Sequence, residues 1–152
     1  MNDKVFMEEA LKQAKQAFGR DEVPVGAVII HKNQVVARAY NQVEMLKDPT
    51  AHAEMIAITQ ATNTLASKWL QECIMYVTIE PCSMCAGALV LARIKRIVYG
   101  AADPKAGACG SVISIIQNAA LNHRVEITKD VLPQECGGLM SDFFRKKRAA
   151  LN

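Results

Sequence analysis

Apolar positions change their spacing along the chain, and the changes mark out its elements. Phe6, Met7, Ala10, Leu11, Ala14, Ala17 and Phe18 recur at helical spacing, with Asn2 or Asp3 placed to cap the start and Gly19 to end it. Val25 to Ile30 and Gln34 to Tyr40 are β-rich runs, and His31-Lys32-Asn33 between them predicts a hairpin. Asn41 to Lys47 reads as a loop. Asp48-Pro49-Thr50 offers a cap and a proline suited to a first helical position, which predicts a helix from there to about Leu65. Ile74 to Ile79, rich in β-branched residues, predicts a strand, and Pro81 then opens a helix through Ala92. Arg96 to Tyr99 is a further strand and Gly100 to Gly110 a loop. Ser111 to Asn118 is expected to be helical, Arg124 to Thr128 extended, and Gln134 to about Ala150 a closing amphipathic helix.

The order α-β-β-α-β-α-β-α-β-α predicts an α/β fold with three α-β-α layers around a five-stranded mixed sheet. The first two strands pair antiparallel, and a helix between the last two implies that those run parallel. No repeat, low-complexity tract or Gly/Ser linker interrupts the 152 residues, so a single domain over 1–152 is expected.

Composition narrows the function classes. Hydrophobic residues are 51% and charged residues 22%, which excludes wholesale disorder. The longest apolar or small run, Met84 to Ala92, falls far short of the roughly 20 residues of a membrane helix. The start, Met1-Asn2-Asp3-Lys4, shows no export signal. Five cysteines (Cys73, Cys82, Cys85, Cys109 and Cys136) are an odd number, so metal or thiol chemistry in a reducing, cytoplasmic setting is expected. Net charge is +3, but residues 1–92 sum to −2 and residues 93–152 to +5, with Arg145-Lys146-Lys147-Arg148 as a block. Such asymmetry suits a polyanion contacted from the C-terminal part, although a solvated helix face accounts for it as well.

Two short segments carry chemistry: His52-Ala53-Glu54, and Pro81-Cys82-Ser83-Met84-Cys85 at the start of the next helix. The Cys-x-x-Cys alone fits a zinc half-site and a thioredoxin-like redox pair equally. Cys73, Cys109 and Cys136 fit buried core thiols better. Taken together, the segments complete a ligand set. Cys82 and Cys85 project from one side of a helical turn, where the positive helix end favours thiolates. His52 adds a neutral third ligand, and three protein ligands leave a tetrahedral position for water, the mark of a catalytic zinc. Glu54, roughly 200° around a helix from His52, cannot share its lateral face. Both reach one site only off the helix N-terminus, where first-turn side chains lean back. A carboxylate beside the water but off the metal suits proton transfer. An acidic residue merely favouring the helix dipole is the plainer reading of Glu54 alone.

His-x-Glu followed by Pro-Cys-x-x-Cys resembles the cytidine deaminase-like zinc deaminases. Glu22-Val23-Pro24-Val25-Gly26-Ala27, Asn41, Asp48-Pro49-Thr50 before His52, Gly100 to Lys105, Asn122 to Ile127 and Ser141 to Arg145 are similar to the tRNA-specific adenosine deaminase branch, so the resemblance spans nearly the whole chain. It implies a cytidine deaminase-like fold and one zinc per chain on His52, Cys82 and Cys85, with Glu54 as proton shuttle. It implies hydrolytic conversion of adenosine to inosine at the wobble position of a tRNA anticodon, by zinc-hydroxide attack at C6. Asn41 would hydrogen-bond the nucleoside and Val25 wall the base. Asp103 and Lys105 would face RNA, and Phe144 and Arg145 would lie near flanking nucleotides. The partners implied are the anticodon stem-loop and a second copy in a homodimer, with no membrane. Adjacent Phe143 and Phe144 point about 100° apart, so at least one is expected in the core. Three other readings share these residues: a deaminase of a free nucleoside, nucleotide or base; a non-catalytic zinc module with a fourth protein ligand; and a thioredoxin-like oxidoreductase, which leaves His52 and Glu54 without a role.

Overall fold

Small residues set the spacing of the first layer. The computed structural model describes residues 2–151. Asn2 accepts the Lys4 N–H at 2.9 Å and caps helix α1 (Asp3–Gly19), which buries Phe6, Met7, Ala10, Leu11, Ala14 and Ala17. Gly26 lies so close beneath this alanine stripe that a Cβ there would run into the Ala10 carbonyl and the Ala14 amide. Strands β1 (Gly26–His31) and β2 (Gln34–Tyr40) form the expected antiparallel hairpin. Its turn residues Lys32 and Asn33 have φ of 50° and 64°, the left-handed pair that matches strand twist. A bulge displaces the register between Ile29, opposite Ala37, and Ile30, opposite Val35.

The chain continues through α2 (Val43–Leu46), α3 (Ala53–Leu65), β3 (Cys73–Ile79), α4 (Ser83–Leu91), β4 (Arg96–Ala101), β5 (Glu126–Thr128) and α5 (Pro133–Ala150). The sheet order is β2-β1-β3-β4-β5, with β1 antiparallel to both neighbours and β3, β4 and β5 mutually parallel. Alternation along the strands divides the core in two. Ala27, Ile29, Met75, Val77, Ile97 and Tyr99 face α3 and α4 and pack with Ala53, Ala57, Ala61, Leu89 and Val90. Val28, Ile30, Tyr76 and Val98 face the other way, against Phe6, Met7, Ala10 and Leu11 of α1 and Cys136 of α5. The fold is the expected three-layer α/β arrangement on a five-stranded mixed sheet. No helix among the described residues is long and apolar enough to cross a membrane.

Three sequence expectations need correction. The 41–47 stretch holds a short helix, α2, where a loop was expected. The second long helix begins at Ala53, not at Asp48-Pro49-Thr50. Asp48 spends its carboxylate on the Thr50 N–H (2.8 Å) and hydroxyl (2.7 Å), a local turn that competes with helix formation. Residues 111–118 are turns, with an isolated bridge from Cys109 to Ser114, rather than a helix. Val112, Ile113, Ile115 and Ile116 are β-branched and poor helix formers. The loop carbonyls of Gly107 and Ala108 take the N–H groups of Val112, Ile113 and Ile115 instead. β4 and β5 are nonetheless parallel, joined by an irregular crossover in place of a helix.

Candidate active site

The topology brings two helix starts to one end of the sheet. Because β1 runs against β3, its first residues lie beside the carboxyl end of β3, where α3 and α4 also begin. Crevices at the carboxyl ends of strands are where α/β sheets take ligands. His52 is the N-cap of α3, with extended φ and ψ of −75° and 150°, so its imidazole swings off the helix end. Glu54 sits one turn position inside and leans back towards the same point. Cys82 is the N-cap of α4, and Cys85 lies within its first turn.

His52 Nδ1 lies 3.6 Å from both Cys82 Sγ and Cys85 Sγ, and the three donor atoms all fall within 4.8 Å of one another. A tetrahedral zinc with bonds of about 2.05 Å to nitrogen and about 2.3 Å to sulfur requires an N···S separation of about 3.6 Å. The residues therefore fit a zinc ion. The sulfurs are chemically prepared for a cation. Contacts from Cys85 and His52 lower Cys82 to about 3, while the Cys82 contact and burial push Cys85 up. A divalent cation between them would favour the thiolate form of both. His52 is held above its usual value by the Cys82 sulfur. Glu54 is 4% exposed, and burial pushes its carboxyl up to about 7; a cation beside it would draw that value back down. Among the described residues no other His, Cys, Asp or Glu joins this donor group, and Cys73, Cys109 and Cys136 are buried free thiols elsewhere.

The group opens into a cavity of about 280 Å³, near the lower end of small-molecule sites, bounded by Val25, Asn41, His52, Glu54, Ile79, Cys82, Asp103 and Met140 among others. Asn41 donates to the Val23 carbonyl at 3.1 Å and accepts the Val43 N–H at 3.2 Å, which leaves one N–H and one lone pair of its amide. Asp103 borders the cavity but turns its carboxylate on its own loop, accepting the N–H groups of Lys105 (3.0 Å) and Ala106 (3.2 Å). Lys105 does not line the cavity. A wider depression of about 750 Å³ adjoins it, sharing Glu22, Val23 and Glu44 and lined also by Arg20, Lys47, Phe144 and Lys147. Phe143 is buried against Phe18, as one of the two phenylalanines had to be, and Phe144 is 42% exposed. Arg145 pairs with Asp142 on its own helix and borders neither cavity.

Sequence reasoning missed two buried carboxylates on the cavity wall. Glu22, 1% exposed, accepts the N–H groups of Glu44 (2.8 Å) and Met45 (2.7 Å) and so holds α2 in place. Glu80, 2% exposed, closes β3 directly before Pro81-Cys82. Burial pushes its carboxyl up, but the Ser111 hydroxyl and three backbone N–H groups outweigh that and hold it below the usual range. The available signal was an acid prolonging the apolar run Ile74 to Ile79.

The family profile of the MafB19-like deaminases matches residues 1–148. The chain is 45% identical to the tRNA-specific adenosine deaminase of Bacillus subtilis (strain 168), over 97% of its own length and 94% of that protein. It is 47% identical to the tRNA-specific adenosine deaminase of Aquifex aeolicus (strain VF5), over 97% of each. Its fold matches a solved structure from work on A-to-I editing by tRNA:A34 deaminases at the wobble position of transfer RNA. That match has a TM-score of 0.86 and 41% identity, over 89% of this chain and 98% of the other. With this donor set, this fold and these relatives, the chain belongs to the tRNA-specific adenosine deaminase family of the deaminase fold.

Proposed function

We propose that this chain converts adenosine to inosine at the wobble position of a tRNA anticodon, adding water at C6 of the base and releasing ammonia. The observation that carries the reading is the three-donor group, spaced for zinc, with a buried carboxylate beside it at the base of a cavity. His52, Cys82 and Cys85 would hold a zinc ion, which would supply the Lewis acidity that makes water nucleophilic near neutral pH. Glu54 takes one proton from the attacking water and delivers it to N1 of the purine, then takes the second from the new C6 hydroxyl and delivers it to the amine, which leaves as ammonia while C6 becomes a carbonyl. Burial of Glu54 keeps bulk water from competing for these protons. Val25 and Ile79 provide the apolar wall for a planar base, and the unused N–H and lone pair of Asn41 orient the nucleoside.

The anticodon loop is partly unstacked already, so presenting a base to this cavity costs less than extracting one from a duplex. Phe144 and the cations of the adjoining depression meet flanking nucleotides, with Arg145 and the 103–105 turn at the rim. Two copies pair to complete the RNA cleft, and the protein acts in the cytoplasm. The test is an adenosine-bearing anticodon stem-loop incubated beside free cytidine and guanine, with the product identified. Inosine in the stem-loop is the expected result. Turnover of cytidine or guanine with none of the stem-loop would overturn the reading.

A further inference from the structure

Glu80 is an ionisable side chain buried beside the catalytic cavity, and the chemistry proposed above gives it no part. Its carboxylate is crowded with donors. Oε1 accepts the Asp103 N–H at 3.1 Å and the Ser111 hydroxyl; Oε2 accepts the N–H groups of Cys109 at 3.0 Å and Ser111 at 3.2 Å. Among the described residues no cationic side chain pairs with it, so its charge is balanced by the loop's own amide dipoles. The loop is shaped to admit it. A Cβ on Gly107 would lie 2.5 Å from Glu80 Oε2 and 2.6 Å from the Asp103 carbonyl oxygen, so a glycine is required where the backbone wraps the carboxylate. Two main-chain bonds complete the seam: Glu80 N–H to Ala101 at 2.9 Å, and Ala108 N–H to Pro81 at 2.9 Å.

The 103–111 loop supplies Asp103 and Ala106 to the cavity, which α2 lines as well through Val43 and Glu44. We propose that Glu80 is a positioning residue: it fixes this loop against the Pro81-Cys82 turn, and so sets how far the loop's side of the cavity, Asp103 and Ala106, stands from the sulfurs of Cys82 and Cys85. Both carboxylate oxygens are taken up by loop donors, so Glu80 acts on the substrate through the loop. The assignment rests on the deaminase reading above, because the quantity it controls is where the base stops relative to the water and Glu54. Misplacement by about 1 Å is enough to cost about 100-fold in rate.

Glu80→Gln tests it. The variant keeps the size of the side chain but turns an N–H donor towards donors. Amide hydrogen exchange at Asp103, Cys109 and Ser111 should quicken by about tenfold or more. Zinc content should stay at the wild-type level and kcat on the stem-loop should fall about 10- to 100-fold, with a smaller rise in KM because only the 103–105 turn of this loop meets the RNA. Ser111→Ala, which removes one partner from the loop side, should give a smaller loss in the same direction. Combined with Glu80→Gln it should add less than its own effect. If Glu80→Gln does not fold, Ser111→Ala and Gly107→Ala read the same contact. Unchanged exchange and unchanged kcat would overturn the proposal, as would a rate loss that tracks lost zinc. A wild-type chain that leaves the stem-loop unmodified would sink the functional reading instead, while exchange would still decide the clamp.

Discussion

His52 and Glu54 are two residues apart, and a helix would turn them to opposite sides; the N-cap geometry of His52 is what lets both address one point. Separate roles follow for the two and can be separated by measurement. Glu54→Gln should keep its zinc, by metal analysis, and lose about 10²- to 10⁴-fold in turnover. Loss of the metal in that variant would instead make Glu54 a ligand. Cys82→Ala should lose metal and turnover together. The paired phenylalanines divide in the same manner. Phe143, buried against Phe18, should cost about 3–5 kcal/mol of stability on truncation to Ala, read from denaturant unfolding. Phe144→Ala should leave stability nearly unchanged and weaken turnover of the stem-loop.

At the scale of elements, α1 is tied to the sheet by a polar contact as well as by its alanine face. Asp3 meets Arg96 at 3.0 and 3.1 Å and accepts the Tyr76 hydroxyl at 2.6 Å, and the Arg96 hydrogen bonds hold its carboxyl below the usual 3.8. A lowered folded-state value means stability that is present above pH 3.8 and lost as pH falls through the folded value. Asp3→Asn should therefore cost about 1 kcal/mol near neutral pH, and the gap from wild type should close as acid protonates Asp3, seen in melting curves from pH 7 to pH 2. Elements that depend on periodicity were legible in the sequence: α1, the hairpin, β3 and α5 differ from expectation by a residue or two. The gathering of His52, Cys82 and Cys85 into one donor group was legible too, because its residue types and spacing are local. The 111–118 segment was not, since its N–H groups are taken by the Gly107 and Ala108 carbonyls and, at Ser111, by Glu80 some thirty residues earlier in the chain. The clamping carboxylates Glu22 and Glu80 were invisible for the same reason: each acts on backbone N–H groups that only the folded chain brings near.

At the scale of the molecule, charge is segregated: the C-terminal part carries the excess cations, and Lys47 and Lys147 border the depression next to the cavity. Binding of the stem-loop should weaken with salt, with a slope of about −0.7 in log K against log salt for each single-stranded phosphate contact. Lys47→Ala should reduce that slope by about one contact without changing the turnover of bound RNA; an unaltered slope would remove Lys47 from the RNA path. The margins of the sheet have a consequence of their own. At one end β5 offers just three residues, and at the other β2 is bulged and has its Arg38 N–H taken by Gln60 of α3 at 3.0 Å. Neither border invites a stranger to zip on by main-chain pairing. A second copy of this chain would therefore have to be recognised through side chains on helices and loops, a match that is sequence-specific and leaves no open strand for fibrous stacking.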